Sequence, residues 1–195
     1  MKFKLKTAPV LYPITLNEAK KQCEIGSETF HDDYIEGLIA AATDQAEQYL
    51  HRRLITQTWY LYLDQWPSGT FFKLPFGRLQ SVTSVKHKDE DGVESTMSSG
   101  EYIVDIQSEP GQIVLDYNES WPTDTLYPSN PITVEFVCGY GLTGASVPAM
   151  IKHAIKLTIS DLFENRETEV YAMGHKKLGT WEALLFPYKL FGGVF

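Results

Sequence analysis

Apolar residues recur at three- and four-residue steps over Thr15–Arg52 and again over Pro148–Phe186, whereas most of Thr56–Cys138 alternates apolar and polar positions. The first spacing lines one face of a helix and the second lines one face of a strand. The pattern therefore predicts helices at both ends of the chain and a strand-rich block between them. Before the first helix, Lys2–Tyr12 alternate loosely up to Pro13 and predict an extended arm or edge strand. Thr15-Leu-Asn-Glu18 reads as a capping box that opens a short helix stopping near Gly26. His31-Asp32-Asp33 puts carboxylates at the positive end of a longer helix. In it Ile35, Leu38, Ile39, Ala42, Ala46, Tyr49 and Leu50 form the buried stripe, with Asp44, Glu47 and Gln48 outside. The Ala40-Ala41-Ala42 run leaves part of that helix smooth enough for another helix to approach.

The strand block predicts six or seven antiparallel strands in a sheet or small sandwich. Asp91-Gly92 is a hairpin turn joining Val82–Lys88 to Val93–Met97, and Pro110-Gly111 turns Tyr102–Ile106 into Gln112–Asp116. Trp121–Pro131, with three prolines, is a loop. Gly139-Tyr-Gly141 and Gly144 lead back into helix, with Pro148 in its first turn. Glu167–Gly179 is expected to be mobile, and Thr180 to cap a last short helix, Trp181–Phe186, that Pro187 stops. The fold class expected is α+β, a helical platform with an inserted antiparallel β module. Its divisions are 1–55 and 142–187 for the helical part, 56–141 for the β module and 188–195 for an apolar arm.

The chain of 195 residues is 43% hydrophobic and 22% charged, enough for a packed core, with a net charge of −8. That balance argues against tight binding of duplex nucleic acid, which depends on Lys and Arg neutralising phosphates. Cys23 and Cys138 lie in different predicted elements and are expected to be unpaired intracellular thiols. No apolar run is long enough for a bilayer span, and the basic start of the chain is followed by no signal-peptide core, so no membrane partner is expected.

Candidate chemistry is sparse. His31 beside Asp32 and Asp33 is the most metal-like cluster but reads better as a helix start. His153 lacks a partner four residues away, as a helical zinc pair would need. Gly139-Tyr-Gly-Leu-Thr-Gly144 lacks the Lys-Ser or Lys-Thr of a phosphate loop, and Asp89-Glu-Asp91 lacks the remaining ligands of a calcium loop. Neither a nucleophile elbow nor a cysteine beside a base is present. Tyr60, Tyr62, Trp66 and Trp121 would serve as a sugar or base platform, or as packing. No catalytic residue, cofactor or metal is assigned. The tail Tyr188–Phe195 offers Tyr188, Leu190, Phe191, Val194 and Phe195 as an arm that either folds back or docks on a partner.

The stretches Pro13–Lys20, Asp32–Ala42, Leu54–Trp59 and Leu74–Val85 occur in one order, followed by Gly139–Gly141, Val147–Lys152, Leu162–Glu167 and Leu185–Tyr188. Taken together the chain resembles tailed-phage head–tail connector (adaptor) proteins of the long type with an inserted β domain. The resemblance implies a structural virion protein of the neck, not an enzyme. It implies a ring, commonly dodecameric, beneath the portal protein, which extends the channel for double-stranded DNA toward a stopper or tail-completion protein. It implies assembly in the host cytoplasm. It also implies portal engagement by a C-terminal segment, here by position Tyr188–Phe195. Leu38, Ala41, Gln45 and Gln48 are the expected inter-subunit contacts on the long helix. Two other readings compete: a carbohydrate- or receptor-binding virion protein using the β module, and a small hydrolase with carboxylates that the sequence cannot pair.

Overall fold

The computed structural model describes residues 2–165 and 179–191. The fold is α+β, and the chain divides into a helical unit and a β unit.

The helical unit comprises Val10–Ile55 and the described part of Gly141–Lys189. Its helices are α1 (Leu16–Gln22), α2 (Asp32–Leu50), α3 (Ala149–Glu164) and α4 (Thr180–Leu185). The capping box at α1 forms as expected: the Glu18 amide donates to Thr15 Oγ1 and the Thr15 amide to Glu18 Oε2. Glu18 also accepts from Lys152 Nζ at 2.8 Å, so the cap of one helix grips α3. Burial alone would raise the Glu18 carboxyl, but the Lys152 ammonium and the Thr15 amide outweigh it and hold it down to about 2. Facing rows of Ile35, Ile39, Ala42, Ala46 and Leu50 from α2 and Ile151, Ala154, Ile155 and Ile159 from α3 form the core. Each buried Ile or Leu stabilises the unit by about 1.5–3 kcal/mol.

Three details of the helices depart from expectation. Glu47, expected outside, is half-buried, where its carboxylate accepts from the Leu54 amide at 2.8 Å and from Arg53 Nη1 at 2.9 Å. It closes the C-terminus of α2, and its burial pushes the carboxyl up against those two donors. Leu38 and Tyr49 are only partly buried. Thr180 is the first residue of α4 rather than its cap; Gly179 holds the cap position, without a side chain to donate or accept. Apart from Gly179, the expected mobile stretch Glu167–Gly179 begins with residues outside those described.

The β unit contains the N-terminal strand together with Thr56–Tyr140, and Leu190 belongs with it. Among the described residues the block between the helices holds seven strands, within the six or seven expected, and the N-terminal arm adds an edge strand: β1 (Lys2–Thr7), β2 (Gln57–Leu63), β3 (Phe71–Lys73), β4 (Leu79–Lys88), β5 (Glu94–Thr96), β6 (Tyr102–Asp105), β7 (Gln112–Leu115) and β8 (Ile132–Cys138). They make an antiparallel five-stranded sheet, β1-β2-β8-β4-β5, and a three-stranded sheet, β3-β7-β6. Lys2–Thr7 is thus an edge strand of the β unit, not part of the helical division 1–55; its backbone pairs with β2 from Lys2↔Tyr62 to Thr7↔Thr58. Inward-facing Leu61, Val85, Val134 and Phe136 of one sheet share a single core with Phe72, Tyr102 and Ile113 of the other. The two sheets therefore pack as a sandwich with opposed outer faces. The Asp91-Gly92 hairpin forms, with Gly92 at φ +80° and Asp89 Oδ1 accepting from the amides of Asp91 and Val93. The peptide bond Glu109–Pro110 is cis.

Candidate interaction surfaces

A side chain available to a partner must be one that the fold leaves uncovered, and on α2 the helical period decides which. With Ile35, Ile39, Ala42, Ala46 and Leu50 turned into the core, the opposite side carries Ala41, Gln45 and Gln48, all exposed, with Leu38 half-buried at its margin. Gln48 Nε2 donates to Asp44 Oδ2 one turn earlier, at 2.6 Å. Apart from Asp44 the stripe is uncharged, and its glutamine amides and the Asp44 carboxylate would need hydrogen-bond partners across any contact that buried them.

The C-terminal residues divide. Arg52 Nε donates to the backbone carbonyl of Tyr188, Trp181 lies 4.9 Å from Tyr49, and Lys189 Nζ stands 4.3 Å over the Tyr49 ring. These contacts tie α4 and the turn after it to the end of α2. Leu190 is only 5% exposed, so its side chain serves this chain's own packing. Phe191, in contrast, is 64% exposed. Val194 and Phe195 lie outside the described residues.

Exposed apolar residues that the periodicity did not single out occur in the helical unit at Val10, Leu11 and Tyr12 and at Phe30. They sit in connecting segments, where neither helical nor strand spacing marks a face.

On the β unit the two outer faces differ in chemistry. Alternation puts Lys2, Lys4 and Lys6 of β1 on the outside of the five-stranded sheet with Lys86 and Lys88 of β4. Tyr60 and Tyr62 lie between them, and Glu94 and Glu135 are the carboxylates of that face. Lys6 pairs with Glu135 at 2.6 Å and lies 5.3 Å over Tyr60; Lys86 pairs with Glu94 at 2.8 Å. The outside of the three-stranded sheet has the opposite sign. Phe71, Val114 and Ile103 make one cross-strand row, with Phe71 47% and Ile103 52% exposed. Glu101, Asp105 and Asp116 follow the same alternation around that row, with Lys73 its one cation. Hydrogen bonds from the Ser108 hydroxyl and amide hold the Asp105 carboxyl down to about 2.

The residues weighed for chemistry are used structurally. Trp66 and Trp121 stack on each other, 5.0 Å apart and 7° from parallel, against the sandwich core, which removes them as an open sugar platform. His87 is buried beside Trp66, with Nε2 3.2 Å from Asp124 Oδ2. His31 occupies the α2 cap position, between Phe30 and Phe163. A Cβ on Gly144 would strike the carbonyl oxygen of Pro13, so that glycine permits close packing rather than a phosphate cradle. Among the described residues no group of three His, Cys, Asp or Glu is placed to hold a metal, and no helix is long and apolar enough to cross a membrane.

Residues 13–119, more than half of the chain, match the model of the phage gp6-like head-tail connector protein family, and the chain belongs to that family. Solved structures share the fold over its full length. A chain in the neck of the empty GTA particle, computed with C6 symmetry, aligns with TM-score 0.81 at 19% identity, covering 99% of both chains. A chain of the virion of the native gene transfer agent (GTA) particle aligns with TM-score 0.78 at 19% identity, and one of the native GTA neck, computed with C12 symmetry, with 0.74 at 21%; both alignments again cover 99% of each chain. No curated protein matches the chain. The protein is a head–tail connector of bacteriophage type.

Proposed function

We propose that this connector works as a ring beneath the portal, joining the capsid to a stopper or tail-completion protein and extending the channel through which double-stranded DNA passes without sequence-specific contact. The ring is dodecameric in this reading, and the protein joins it from the host cytoplasm. Family membership supports the site of action, and the uncovered stripe on α2 is the observation that carries the ring. A closed ring needs heterologous contacts, one patch of each copy against a different patch of the next. The stripe Leu38, Ala41, Gln45 and Gln48 supplies one such patch on a rigid 19-residue helix.

Ala41→Asp should leave the fold intact, because Ala41 is exposed, yet remove the protein from necks isolated from assembled particles. Full occupancy by this variant would remove α2 from the contact. For portal attachment the arm narrows to Phe191–Phe195, since Tyr188 and Leu190 are held within the chain. Deleting those five residues is expected to abolish attachment to the portal at unchanged melting temperature, and normal attachment would sink the docking arm.

A further inference from the structure

The β unit carries a pair of features that the connector role alone does not use. Five lysines with two carboxylates stand on the outside of one sheet, and three carboxylates with one lysine surround an apolar row on the outside of the other. Because both sheets bury their inner faces in one core, these two faces point in opposite directions. The chain as a whole is strongly acidic, so concentrating lysines on one sheet runs against its average. A strand that only needed a polar outside would be served equally by Ser and Thr, as β4 shows at Ser81, Thr83 and Ser84.

Three chemical properties make the faces complementary. Their charges are opposite. The basic face offers two half-buried tyrosine rings, Tyr60 and Tyr62, which lie 6.1 Å apart, and the acidic face offers the exposed row Phe71, Val114 and Ile103 to cover them. The apolar row is rimmed by charge, the arrangement of contact surfaces in which a dry centre is fenced by polar residues. We propose that the lysine face of one β unit docks on the carboxylate-rimmed face of the β unit in the next copy, a second heterologous contact in the ring. The inference rests on the ring reading given above. A head-to-tail pairing of unlike faces is the geometry that closes a ring, whereas like faces would give a two-fold dimer. It also resolves an electrostatic problem: copies each carrying net charge −8 repel one another unless basic and acidic patches are brought into register.

Reciprocal charge reversal tests this. Lys4→Glu with Lys88→Glu makes both outer faces acidic, and Glu101→Lys with Asp116→Lys makes both basic. Each double variant, expressed alone with the other particle components, should lower the amount of connector in isolated necks about tenfold or more, since like charges facing each other across an interface oppose its formation. Circular dichroism should keep its wild-type shape, because all four side chains lie on outer faces, and the melting temperature should fall only slightly, where the Ser98 and Tyr117 amides lose their acceptors at Glu101 and Asp116. Co-expressing the two variants should restore occupancy, with alternating copies in which every contact again joins opposite charges. Wild-type occupancy by either variant alone, or no rescue on mixing, would overturn the pairing. Normal occupancy combined with lost retention of duplex DNA by the lysine variant would also overturn it and assign that face to phosphate. Absence of wild-type protein from necks would fail the ring reading itself, which keeps the two failures distinguishable.

Discussion

The helical unit and the β unit are built from the same chain by opposite strategies. The helical unit sets small residues, Ala19, Ala42, Ala46 and Ala154, between the isoleucines and leucines of its core, so its helices approach closely at those points, and its Glu18 cap doubles as a cross-link to α3. The β unit fills its centre with bulky side chains from both sheets, and aromatic pairs such as Trp59–Phe76 and Phe3–Phe76 seal its margin. The helical unit thus depends on fit between backbones, and the β unit depends on apolar volume. A change of one methyl group should matter most in the first, and a large cavity most in the second.

The largest expected effect is in the sandwich. Phe136→Ala, at a side chain fully buried on the central strand β8, should destabilise the β unit by about 3–5 kcal/mol in urea unfolding. A loss below 1 kcal/mol would mean that the core collapses around the cavity and volume is not limiting. In the helical unit a single added methyl is the corresponding test. Gly144→Ala drives a Cβ into the Pro13 carbonyl and should cost about 3 kcal/mol in melting or denaturant experiments.

Next in size is the Glu18 cap. Its folded pKa of about 2 lies below the ordinary 4.5, so the stabilisation is complete above pH 4.5 and disappears as pH falls toward 2. Glu18→Gln should lose about 1 kcal/mol at pH 7, after allowance for solvent screening, and nothing at pH 2. Equal losses at both pH values would show that shape, not charge, is what the cap supplies. Glu47 has the opposite sign: burial raises its carboxyl, so its ionisation costs stability as pH rises above the ordinary carboxylate range. The smallest effect is a gain. Gly37 is an exposed interior residue of α2 with open space around it, and Gly37→Ala should stabilise the helical unit by about 0.5–1 kcal/mol.

Local chemistry was legible in the sequence wherever neighbours along the chain decide the structure. The Thr15–Glu18 capping box, the Asp91-Gly92 turn and the alternation of β8 all act within a few residues and appear as read. What escaped depends on distant partners. Nothing within Lys2–Thr7 says that it will pair with Gln57–Leu63, because the pairing closes a loop of some fifty residues. Glu47 looked like a solvent-facing helix position; its role exists only once Arg53 and the Leu54 amide fold back over it. Leu190 read as part of an arm that either folds back or docks on a partner, and its burial decides for folding back at that residue, through neighbours that are not adjacent in the sequence. The exposed α2 stripe was readable from helical spacing. The charge difference between the two outer β faces was not, since it requires knowing which strands share a sheet.

One further property follows from β1. The strand lies at the open edge of a sheet, where its outward backbone groups could recruit a strand from another molecule. Its three alternating lysines and the break in register between Leu5 and Thr7 make that edge hard to extend, and the other edge, β5, is only three residues long. In the ring proposed above, such protection keeps copies from joining sheet to sheet at their edges and leaves association to their outer faces.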